Sequence, residues 1–116
     1  MFDEIIPTNR QEQRIKTHRR AECRVGTKLW AGVIHDLSDG GVFFQPLRCL
    51  TDGETIHSDD AWMVAANDDD VSLHVPNAVA DDAPIVARVS WSGCSDLHRC
   101  GGLGLRFAQK RAFAGR

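Results

Sequence analysis

Apolar and polar residues alternate along many short stretches of this chain, and that period of two restricts it to strands more than any other feature. In AECRV, Ala21, Cys23 and Val25 fall on one face while Glu22 and Arg24 fall on the other. The GTK that follows is a turn signal. The next run places Leu29, Ala31, Val33, His35 and Leu37 on one side and Trp30, Gly32, Ile34, Asp36 and Ser38 on the opposite side. Further strands are expected in GGVFF, VSLHV, IVARVSW and GLGLRF, separated by clusters of Pro, Gly, Asn and Asp. Short strands with this punctuation predict an all-β fold, a small antiparallel barrel or sandwich.

Helix has little room. DDAWMVAAN predicts a turn or two capped by Asp59 or Asp60, and the tail FAQKRAFAGR another. Residues 46–70 read as a long excursion between strands. At 116 residues the chain suits one domain with a single core.

Charge narrows the partner. Fourteen basic against 16 acidic side chains leave a net charge of −2, which disfavours a nucleic-acid polymer as ligand. No apolar run approaches a membrane span, and MFDEIIPTNR lacks a signal peptide's basic start and apolar centre, so the chain reads as soluble and cytoplasmic. The charge is also uneven. Arg10, Arg14, Lys16, Arg19, Arg20 and Arg24 are opposed locally only by Glu12 and Glu22, while acid gathers in SDDAWMVAANDDD and AVADDAP. Such asymmetry suits a small anionic ligand better than a long polyanion.

The run DLSDGG, from Asp36 to Gly41, supplies matching chemistry. Asp36 and Ser38 are two apart and so share a face, and Gly40-Gly41 allows a sharp turn and close approach of a ligand. A carboxylate accepts from guanine N–H groups, and a hydroxyl donates or accepts. Arginine's planar fork matches the O6 and N7 edge of guanine and also pairs with phosphate. Arginines in front of this turn therefore suit a ligand carrying both guanine and phosphate.

That combination resembles the PilZ domain family, the bacterial receptors for cyclic di-GMP. The family pattern is RxxxR in an N-terminal arm, then DxSxxG at the end of the second strand; here they stand as RQEQR, Arg10 to Arg14, and DLSDGG. VSLHVP, ARVSW and GLGLRF are similar to the family's later strands. The resemblance implies a six-stranded antiparallel β-barrel over residues 20–110, a flexible arm over 1–19, a tail over 111–116, and at most short helices. It implies that Arg10 and Arg14 bind the phosphates and guanines, that Asp36 and Ser38 hold a guanine edge and the adjoining backbone, and that Gly41 keeps the turn open. Trp91 stands where some members present a side chain to the nucleotide, though strand tryptophans are more often core. Arg19 and Arg20 are expected as secondary contacts that add electrostatic help. RAECR repeats the arginine spacing at Arg20 and Arg24, but within a strand, where arginines cannot wrap a ligand as an arm can.

Other constellations have plain readings. Cys94, His98 and Cys100 lack a C-x-x-C spacing, and the four cysteines read as free thiols rather than a metal centre. His35 reads as a packed, hydrogen-bonded side chain. Asp68, Asp69 and Asp70 lack the glycine and distal glutamate of a calcium loop. Neither a P-loop, an HExxH nor a nucleophile elbow is present. The expected function is thus a non-enzymatic effector, without cofactor or metal, that binds cyclic di-GMP. It would act as a monomer or homodimer, its arm ordering on binding, to regulate motility, biofilm or virulence pathways through a protein partner. The alternative is an interaction module without nucleotide affinity, serving pilus or flagellar assembly.

Overall fold

Residues 15–76, 84–95 and 97–109 are described by the computed structural model. Six strands carry them: β1 (Ile15–Val25), β2 (Lys28–Leu37), β3 (Gly41–Cys49), β4 (Asp70–His74), β5 (Ile85–Ser95) and β6 (Cys100–Phe107). Every pairing is antiparallel and the sheet closes in the order β1-β2-β3-β6-β5-β4, which decides for a barrel over a sandwich. Closure pairs the strand edges that a flat sheet would leave open to association. Inside lie the residues that alternation assigned inward on β1, Ala21 and Cys23, with Trp30, Ile34, Phe44, Leu73, Ile85, Val89, Leu103 and Leu105.

Three boundaries differ from the sequence reading. The first strand begins at Ile15, which pairs with Leu37, so residues 15–19 belong to the barrel and not to an arm. Their mostly polar stretch is held by pairing to β2 and gives no burial signal. The third strand continues past Pro46 to Cys49. Beyond Phe44 the β6 partner is gone, and proline is tolerated on such an open edge. The expected helical turn is a 3₁₀ segment, Ser58–Val64, capped by His57 rather than by Asp59 or Asp60; the His57 Nδ1 accepts from the Asp59 N–H at 3.2 Å. Residues 110–116, with most of the expected tail helix, lie outside the described residues. No helix among the described residues is long and apolar enough to cross a membrane.

Two of the barrel's register shifts, at Ile34/Asp36 and Val89/Trp91, interrupt the alternation where it bears on the outer wall. Across β2 and β3, Ile34 pairs with Phe44 and Asp36 with Phe43, leaving His35 as an extra residue. The two-sided reading of β2 therefore holds for Trp30 and Ile34 but reverses after the bulge: Leu37 enters the core and Asp36 turns outward. Across β5 and β6, Val89 pairs with Leu105 and Trp91 with Gly104, so Ser90 is the extra residue. Strict alternation from Val89 would have buried Trp91. The bulge turns it out onto the wall instead.

Candidate functional site

The two bulges aim side chains at one patch of the outer wall. Trp91 is 41 % exposed and lies over Gly104, where a β-carbon would stand 2.2 Å from the indole Nε1. Only glycine lets the ring lie that close. Its ring stacks on Phe43, with centroids 5.4 Å apart and planes at 16°. Phe43 stacks in turn on His98 at 4.8 Å and 15°, and His98 on His35 at 5.4 Å and 27°. His18 of β1 meets His35 edge-on at 5.6 Å.

Two clefts flank the indole. One of about 420 Å³ is lined by Asp36, Phe43, Trp91, Leu97, His98 and Gly104 among others. The second, about 260 Å³, runs from Trp91 along Gly40, Gly41 and Val42 to Arg106. The patch thus offers an exposed aromatic face between two hollows, with a carboxylate at one end and the turn glycines at the other.

The turn itself is internally tied. Its Ser38 N–H donates to the Gly41 carbonyl at 2.9 Å, the Ser38 hydroxyl donates to the same oxygen at 3.4 Å, and the Gly40 N–H donates to Ser38 Oγ at 3.3 Å. Ser38 is fully buried. Gly41 serves a packing need that the sequence reading did not contain: a β-carbon there would stand 2.1 Å from the Leu105 carbonyl oxygen of β6. Close approach of two strands, not an open turn, requires glycine at this position.

Asp36 is also engaged. Its Oδ2 lies 2.7 Å from His98 Nε2, both side chains being 9 % exposed. A carboxylate only accepts, so the imidazole Nε2 carries the proton of this bond. The hairpin between β5 and β6 fixes His98 there: its N–H donates to Ser95 Oγ at 3.1 Å, and the Arg99 N–H to the Ser95 carbonyl at 2.6 Å. His35 is packed and bonded as expected, its Nε2 2.7 Å from Gln45 Oε1.

Asp36, Gly41 and Trp91 therefore come together around the clefts, and Ser38 braces the turn between them. Arg19 is half-buried and Arg20 exposed on β1; neither lines these clefts. Arg10 and Arg14 lie outside the described residues. The register Ile15↔Leu37 and Lys16↔Asp36 nevertheless brings the start of β1 beside this turn. Phe43 and His98 were missed as site residues. Phe43 reads as an ordinary strand residue in GGVFF, and His98 looked like one member of a Cys/His loop. Cys94 instead points its thiol at the Asp59 carbonyl, 3.6 Å away, and Cys100 is buried. No group of three His, Cys, Asp or Glu that could hold a metal ion occurs among the described residues.

No curated protein matches the chain significantly. Among solved structures it is similar to the Bacillus subtilis inhibitor of motility (MotI/DgrA), with a TM-score of 0.55 at 12 % identity over 88 % of this chain. The match covers 44 % of that protein, so the chain spans less than half of its neighbour's length. At that identity the likeness speaks for the fold. The family model of the PilZ domain matches residues 8–112. The chain belongs to the PilZ domain family.

Proposed function

We propose that this chain is a non-enzymatic receptor for cyclic di-GMP, the signalling role of its family. The observation that carries the reading is the outward Trp91, stacked on Phe43 between two clefts beside the 36–41 turn. An exposed indole offers a guanine a stacking platform worth about 1–3 kcal/mol per base. Asp36 supplies the acceptor that tells a guanine edge from an adenine edge, and Ser38 and Gly41 hold the turn against which the nucleotide rests. Arg10 and Arg14 close over the phosphates and guanines, with Arg19 and Arg20 adding positive field. The entry of β1 next to Asp36 makes this reach short. Ordering of the arm then changes the surface presented to a downstream protein, a population shift driven by ligand contacts. The structural neighbour is an inhibitor of motility, which makes motility the first process to assay.

Calorimetric titration with cyclic di-GMP and with cyclic di-AMP tests the reading. The guanine nucleotide should bind and the adenine nucleotide far more weakly; Asp36→Ala should weaken binding and narrow the gap. Equal affinity for both would remove guanine readout. A second reading, an interaction module without nucleotide affinity, is favoured by the engagement of the Asp36 carboxylate with His98. Absence of heat with either nucleotide would select it.

A further inference from the structure

The His98 side chain does two things that a bound guanine would do at the same place. It donates an N–H to Asp36 Oδ2 at 2.7 Å, and it lies nearly parallel to the Phe43 ring at 4.8 Å. A guanine pairing through N1–H and its amino group needs both carboxylate oxygens on one approach. With the Asp36 side chain only 9 % exposed and its Oδ2 bonded to the imidazole, His98 holds one of the two oxygens that approach requires. We infer that His98 is a latch: it occupies Asp36 in the free protein and must leave that oxygen before a guanine edge can take it. The inference rests on the proposed nucleotide-binding reading and adds to it a residue that tunes affinity from a third strand pair.

Local geometry allows the exchange. Position 98 is on the short hairpin joining β5 and β6, adjacent to Arg99 in a left-handed conformation at φ 58° and to the exposed Leu97. The 420 Å³ cleft next to the ring gives it room to swing away from Asp36 without disturbing the barrel core. Departure also uncovers the Phe43 ring, which then extends the stacking surface started by Trp91. The latch sets a threshold: the nucleotide gains Asp36 only by displacing an existing hydrogen bond, so the free energy of that bond is subtracted from affinity.

The test is titration of the full chain with cyclic di-GMP, comparing the unmutated protein with His98→Phe, which keeps a flat ring over Phe43 but has no N–H. His98→Ala is a second variant in case the larger ring disturbs folding, and thermal melting checks that each is folded. His98→Phe should bind at least about tenfold more tightly, the lower end of the worth of one hydrogen bond to a charged group. In the unmutated protein, the His98 ring ¹⁵N resonances should shift on saturation with nucleotide toward those recorded for ligand-free Asp36→Ala, which leaves no acceptor for the ring. Binding by the variants with none by the unmutated chain would support the latch in its strongest form. Binding by the unmutated chain with unchanged or weakened affinity in both variants would overturn the latch alone. Binding by none of the three would sink the nucleotide reading, and the latch with it.

Discussion

Single side chains already divide the molecule into an inert interior and a reactive wall. Burial in the barrel pushes the Cys23 thiol up to about 12, and raises Cys100 as well, whereas Cys94 is exposed on β5. The thiolate is the nucleophile. Iodoacetamide on the native protein should therefore label Cys94 first, and mass spectrometry showing Cys23 modified at the same rate would contradict this packing. The same burial sets an alkaline limit. The folded chain holds the Cys23 proton more tightly than the unfolded chain, whose thiol titrates near 9.0, so this contribution to stability is complete below about 9 and is lost as pH rises toward 12. Melting temperatures across that window should fall, and fall less steeply in Cys23→Ala. Two arginines of the repeated spacing belong to a paired strand. Arg20 and Arg24 sit on β1, across from Val33 and Leu29 of β2. Arg10→Ala and Arg14→Ala should each cost about 1–3 kcal/mol of nucleotide affinity. Loss of binding in an Arg20→Ala, Arg24→Ala double variant but in neither of those would transfer the motif to β1.

Two glycines in neighbouring strands should respond oppositely to the same added methyl group. In β3, Gly41→Ala drives a β-carbon into the Leu105 carbonyl, and backbone cannot yield without prising β3 from β6; a loss of about 1–3 kcal/mol or more is expected in denaturant unfolding. In β6, the nearest atoms that Gly104→Ala meets belong to the Trp91 indole, an outer-wall side chain that can lift away. That variant should melt near the unmutated temperature yet change indole fluorescence and lose nucleotide affinity. If Gly104→Ala kept full affinity, Trp91 would not be the platform. These strands also show what the sequence made legible. Alternation located β1 through Ala21 and Cys23 because both are buried and unbroken by irregularity. It placed Trp30 and Ile34 together because the shift between them, at Ala31/Gly32, leaves its extra residue, Leu47, on β3. It misjudged Leu37, since a bulge at His35 leaves no mark in residue type, and it gave no ground for expecting Trp91 outside. Both site-forming turns of the wall arise from register, which depends on the partner strand. The pairing of His98 with Asp36 joins residues 62 apart in the chain, beyond any local pattern.

The strands from Ile15 onward form a closed barrel by themselves, and the proposed switch depends on that closure. Each strand from β1 onward is paired on both sides along part of its length, and the ladder starts at Ile15↔Leu37. Removing residues 1–14 should therefore leave a cooperative fold with nearly the same melting temperature, while taking away Arg10 and Arg14, the proposed phosphate contacts. Apart from Ile5 and Ile6 that segment has little apolar periodicity, so burial alone does not offset the entropy of ordering it. Under the proposed function, ligand contacts supply the difference. Amides in the segment should exchange rapidly in the free protein and become protected on saturation with cyclic di-GMP. Affinity should also fall as salt is added, since arginine–phosphate pairs near the surface are screened over a Debye length of about 8–10 Å at physiological ionic strength. The truncated chain should lose most of its affinity and most of that salt dependence, keeping only the part that Arg19 and Arg20 contribute, because the stacking on Trp91 carries no net charge. Hydrogen exchange showing the segment equally protected with and without nucleotide would rule out arm ordering, even in a chain that binds. Full binding by the truncated barrel would go further and assign recognition to the wall alone, with Asp36, Phe43 and Trp91 sufficient to hold the nucleotide.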